Sequence, residues 1–184
     1  MNKKNKYFDT YFNKLNKVIE SVDSQALFKA KDMVVSASDC NKKVIILGNG
    51  GSAATASHLA IDLTNAAKIR AMSFDSSALI TCFGNDFGYE NWMSKAIESY
   101  ANKGDLIIFI SSSGESDNII NGLLLAKKNG CAIITLSGFS PTNKLKGLGD
   151  VNLWAESNEY NIVEIAHQAW LLAIVDLIKL KTGE

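Results

Sequence analysis

With 184 residues, nineteen basic side chains against nineteen acidic ones and 47% apolar residues, the chain is long enough to bury one substantial core. A formal net charge of zero excludes the broad basic surface that attracts nucleic acid or an anionic membrane, so an anionic ligand needs a local site. Cys40, Cys82 and Cys131 are odd in number and form no C-x-x-C pair, which points to reduced thiols in a cytoplasmic protein. The lysine-rich start MNKKNKYFDTYF is followed by no apolar h-region, and no run is read as reaching the ~20 apolar residues of a membrane span.

Before Lys43 the pattern is helical. Tyr7, Tyr11, Leu15 and Ile19 recur at four-residue spacing, and Leu27, Met33, Val34 and Val35 suggest a second helix. From Lys43 the pattern changes to short apolar runs at 43–48, 69–74, 105–111, 131–137 and 150–155, alternating with helical stretches near 52–66, 89–101, 116–129 and 160–181. Strands apolar on both faces and separated by helices imply a parallel sheet covered on both sides. Right-handed crossovers then give an α/β fold: a three-layer, doubly wound sheet of about five parallel strands with N-terminal helices. Without repeats or a linker, residues 1–184 form one domain, with 1–40 as a helical segment used in oligomerisation and 41–184 as the α/β core.

In such sheets ligands bind beyond the carboxyl ends of the strands, where strand order switches. After the first strand comes Gly48-Asn49-Gly50-Gly51-Ser52, a turn that admits a ligand close to the backbone and opens a helix whose free N–H groups suit an anion. After the third comes Ser111-Ser112-Ser113-Gly114-Glu115-Ser116, with four hydroxyls where a helix cap needs one. Gly48, Gly50, Ala53 and Asp75 satisfy a dinucleotide pattern, which keeps a nicotinamide cofactor as a rival reading. The serine-rich second loop is what that rival does not explain. A compact phosphorylated sugar, and no NAD, is the preferred ligand.

Four stretches in order, GNGGSAATASHLAIDL, SALITCFGNDFGYENW, SSSGESDNIINGLLLAKKNG and YNIVEIAHQ, resemble the sugar isomerase (SIS) domain of phosphoheptose isomerases. The resemblance implies flavodoxin-like strand order. It also implies interconversion of sedoheptulose 7-phosphate and D-glycero-D-manno-heptose 7-phosphate for bacterial surface polysaccharide, and a homotetramer whose sites are completed across subunits. By position it assigns substrate binding to Asn49, Gly50, Gly51 and Ser52, to Asn85 and Asp86, and to Ser111, Ser112, Ser113 and Ser116. The family's helical His-x-x-x-Glu falls on His58 and Asp62, which share a helix face at i and i+4.

The C-terminal helix departs from the family. Glu164 stands where the family has Gln, His167 takes the first His, and Leu172 occupies the position of the catalytic His. The family's substrate-side Arg is Ala66. Isomerisation through an enediol needs a base to carry a proton between C1 and C2 and a relay between O1 and O2. Asp62 or Glu164 is the candidate base, and His58 or His167 the candidate relay. His58, Asp62 and Glu164 form a candidate three-ligand zinc set with an open position, His167 being a possible addition. Loss of the family His at Leu172 leaves a second expectation open: a phosphosugar-binding or regulatory SIS module without catalysis.

Overall fold

The computed structural model describes residues 3–182, with the side chains of 6–180; residues 1, 2, 183 and 184 of the expected domain lie outside the described residues. Five strands, β1 (Val44–Gly48), β2 (Ala71–Ser73), β3 (Leu106–Ser111), β4 (Ala132–Ser137) and β5 (Val151–Trp154), pair in parallel in the order β2-β1-β3-β4-β5. This is the flavodoxin-like order expected above, with the switch between β1 and β3. In both strands every residue is buried, because alternate side chains enter different layers. Val44, Ile46, Ile108 and Ile110 pack with α1 (Lys3–Glu20), α2 (Ser24–Asp39), α3 (Gly51–Asn65) and α7 (Tyr160–Thr182). Ile45, Leu47, Ile107 and Phe109 pack with α5 (Trp92–Tyr100) and α6 (Asp117–Lys128).

One further helix, α4 (Ser77–Phe87), lies between the predicted strand at 69–74 and the predicted helix near 89–101. Helix α7 corrects the expectation that no run is long and apolar enough for a membrane span. By length and composition Tyr160–Leu180 is apolar enough to cross a membrane, yet half of that window is buried within the fold. Its apolar stripe runs through Val163, Ala166, Trp170, Leu171, Ile174 and Ile178, the inner face of a core helix. The α1 stripe divides. Leu15 joins the core against α7, where Trp170 Nε1 donates to Ile19 O at 2.9 Å, whereas Tyr7, Phe8 and Phe12 remain exposed.

Candidate active site

The turns after β1 and β3 face one another at the switch point, and α7 closes the space beside them. Asn49, Ser52, Ile110, Ser111, Ser112, Ser113, Ser116, Tyr160 and Glu164 line a cavity of about 220 Å³. Gly50 precedes α3 at φ 55°, a left-handed conformation that glycine adopts without a Cβ penalty. At Gly51 the reason is space: an added Cβ would lie 2.1 Å from Glu164 Oε2. The bare glycine lets the Glu164 carboxyl rest at the start of α3.

The serine loop is only partly satisfied from within. Gly114 N donates to Ser111 Oγ at 3.2 Å, and Ser111 Oγ stands 3.4 Å from Ser116 Oγ. Ser116 occupies the N-cap position of α6 but makes no side-chain capping bond, so its hydroxyl is left to the cavity. Ser112 is 5% exposed, and its Oγ has no hydrogen-bond partner among the described residues. A buried, unpaired hydroxyl costs about 1–3 kcal/mol. No Lys, Arg or His lines this space. Its carboxyl, Glu164, is pushed up from the usual range by burial, which favours the neutral form beside an anion.

Down the groove between α3 and α7 lies the second cluster. His58 Nε2 is 3.3 Å from Asp62 Oδ2, and Gln168 Nε2 is 3.0 Å from His58 Nδ1. An ionised carboxylate only accepts, so Nε2 carries the proton of the neutral ring and Nδ1 accepts from the Gln168 amide. Sequence reasoning missed Gln168, although it lies one turn beyond Glu164, and missed Tyr160 at the cavity mouth.

The structure places two predicted groups, His167 and the pair Asn85 and Asp86, apart from the cavity. His167 is fully buried: its Nε2 donates to Ser137 O at 3.0 Å, its ring packs 5.7 Å from that of Trp170, and it lines no part of the cavity. Burial holds its pKa down to about 4, against the opposing pull of the Ser137 carbonyl, so the ring is a neutral core group. The 60° between positions 164 and 167 around α7 is enough to turn one side chain to the cavity and the other into the core. Asn85 and Asp86 stand exposed on the last turn of α4, bonded to each other at 2.9 Å and outside the cavity of this chain. Nor do His58, Asp62 and Glu164 gather as zinc ligands; among the described residues no three His, Cys, Asp or Glu side chains do. The rival dinucleotide residue Asp75 accepts a hydrogen bond from Ser57 Oγ at 2.5 Å.

This architecture has close relatives. The family model for the SIS domain matches residues 6–138. The chain is 40% identical over 158 residues to a phosphoheptose isomerase of Aliarcobacter butzleri (strain RM4018), covering 82% of each protein. It is 37% identical over 166 residues to one of Helicobacter hepaticus, covering 86% of this chain and 84% of that one. The structure of a phosphoheptose isomerase from Neisseria gonorrhoeae matches the fold with a TM-score of 0.88 at 24% identity, over 95% of this chain and 97% of that one. The chain belongs to the SIS-domain family, among its phosphoheptose isomerases.

Proposed function

We propose that the chain interconverts sedoheptulose 7-phosphate and D-glycero-D-manno-heptose 7-phosphate in the cytoplasm, as a homotetramer. The observation that carries the reading is a five-serine cavity between two helix N-termini, where Ser116 makes no capping bond of its own. The phosphate sits there, and the sugar runs down the α3–α7 groove. From Ser52 to His58 is about 9 Å along α3, a distance suited to a sugar chain with its phosphate at one end and its carbonyl at the other.

Asp62, beside His58 in the groove, is the candidate base at the carbonyl end, while Glu164, its pKa raised by burial, lines the phosphate cavity where its neutral form can face the anion. His58, held by Asp62 and Gln168, is the group placed to move the hydroxyl proton between O1 and O2. No step depends on zinc or a nicotinamide cofactor, and neither nucleic acid nor a membrane is a partner in this reading. A tetramer with sites completed across subunits accounts for exposed Asn85 and Asp86 and for the aromatic surface of Tyr7, Phe8 and Phe12.

An NMR time course with sedoheptulose 7-phosphate tests the reaction. The expected result is appearance of the aldose 7-phosphate, with affinity weakened at least tenfold when Ser112→Ala and Ser116→Ala are combined. Binding without turnover overturns the enzyme reading in favour of a regulatory module. Light scattering at the mass of a single chain overturns the tetramer.

A further inference from the structure

Asn49 lines the cavity, and its side-chain amide is held from two other elements. Asn49 Nδ2 donates to Asn118 Oδ1 at 3.0 Å, and Asn118 Nδ2 returns a bond to Asn49 Oδ1 at 2.9 Å. Tyr89 Oη, from the 88–91 connection between α4 and α5, donates to the same Asn49 Oδ1 at 3.1 Å. Asn118 is 2% exposed on the first turn of α6.

The orientation of both amides follows from one backbone group. Ile119 N–H donates to Asn118 Oδ1 at 3.0 Å, and a backbone N–H can only donate. That fixes which end of the Asn118 amide is oxygen, so the end facing Asn49 Oδ1 is the nitrogen. Asn49 is fixed in turn, and a flip would set its NH₂ against the Asn118 NH₂. With two donors on Asn49 Oδ1, both lone pairs are used, and one of its two Nδ2 protons is used as well. A single N–H remains.

We propose that Asn118 and Tyr89 are positioning residues that hold Asn49 as a donor-only group toward the sugar phosphate, so that an oxygen acting as acceptor must face it. The inference rests on the isomerase reading of the cavity. It adds that α6 organises both halves of the site. The helix begins at the serine loop, and its Asn118 orients the turn after β1. One turn on, Asn121 Nδ2 donates to Glu90 O at 3.0 Å, holding down the connection that carries Tyr89.

The experiment combines Tyr89→Phe, Asn118→Asp and Asn49→Ala, singly and in pairs. Tyr89→Phe removes one hydroxyl from an exposed residue and leaves folding intact, so it decides the matter even where Asn118→Asp fails to fold. In the ligand-free protein the Asn49 side-chain amide resonances, assigned by their loss in Asn49→Ala, should move in Tyr89→Phe and Asn118→Asp. With sedoheptulose 7-phosphate, Tyr89→Phe should raise KM about fivefold with kcat little changed. Neither variant should add to the effect of Asn49→Ala. Unmoved amide resonances, or kinetic effects that add fully to Asn49→Ala, overturn the proposal. A wild type without turnover overturns the isomerase reading instead, and the amide resonances then still decide the clamp.

Discussion

The chain has two imidazoles in opposite surroundings, one on each side of the α3–α7 packing. His58 is 47% exposed in the groove, with a carboxylate on one nitrogen and an amide on the other. His167 is 0% exposed under α7, with a carbonyl on one nitrogen and no partner among the described residues on the other. The first faces the groove with both nitrogens beside polar partners. The second is held neutral by its burial and spans β4 and α7 as a structural strut. Residue type alone says nothing of this difference; the faces of the two helices create it.

His167→Ala gives the largest effect and the sharpest break between the two rings. Truncating a buried ring costs roughly 3 kcal/mol of stability through the cavity it leaves. Ser137 O keeps its bond from Ala155 N, so no carbonyl is orphaned. Chemical denaturation should show that loss, while turnover of the folded protein stays within about twofold. The wild type carries a pH signature from the same ring. Its folded pKa, about 4, lies below the ordinary value of 6.5, so the unfolded chain takes the proton first as pH falls. The stability contributed by the neutral ring is complete above pH 6.5 and is lost between 6.5 and about 4, up to about 3 kcal/mol at ~1.4 kcal/mol per pKa unit. Denaturation at pH 7 and pH 5 should show a smaller decline in His167→Gln; an equal decline places the dependence elsewhere.

His58→Ala should do the reverse. Loss of a proton relay lowers kcat about a hundredfold or more, whereas removal of a half-exposed ring changes stability little. Equal turnover would remove His58 from the chemistry. Gly51→Ala comes next in size. The new Cβ collides with the end of a flexible side chain, so the fold persists and the Glu164 carboxyl is displaced. Turnover should fall about tenfold with little change in melting temperature, and activity equal to wild type would show that Glu164 can act from elsewhere.

The same contrast shows what the sequence made legible. The strand grammar from Val44 onward and the two turns at Gly48–Ser52 and Ser111–Ser116 carried the sheet and the cavity, because these are local patterns; the strand order came only with the family resemblance. The buried position of His167 was also written there: it falls on the stripe of Val163, Trp170, Leu171 and Ile174. Helical period sets it in the core, whereas family position sets it among the site residues. Helix α4 was hidden by Gly84 and by a β-branched and aromatic content that weakens helical propensity. Gln168 against His58, and Asn118 against Asn49, join residues 110 and 69 positions apart, and no single-sequence pattern announces such contacts.

The smallest predicted effect concerns Gln168, and it separates the two rings most directly. In the wild type, Asp62 faces His58 Nε2 and Gln168 donates to Nδ1, so two partners select one tautomer. Gln168→Leu removes the donor but leaves the carboxylate. The ring keeps an attraction at Nε2 and loses its hold at Nδ1, so turnover should fall only about fivefold, the worth of one hydrogen bond. Gln168→Glu reverses the polarity, setting an acceptor opposite Nδ1 and leaving the neutral Nε2–H form without its second partner; it should be the worse of the two. Long-range ¹H–¹⁵N spectra can report this directly, since the protein contains two histidines. As neutral rings both wild-type imidazoles should show the Nε2–H pattern, His167 because Ser137 O accepts there. Both variants should move the His58 signals alone. If the His58 pattern and turnover stay as in wild type, Asp62 sets the ring unaided and Gln168 is a bystander.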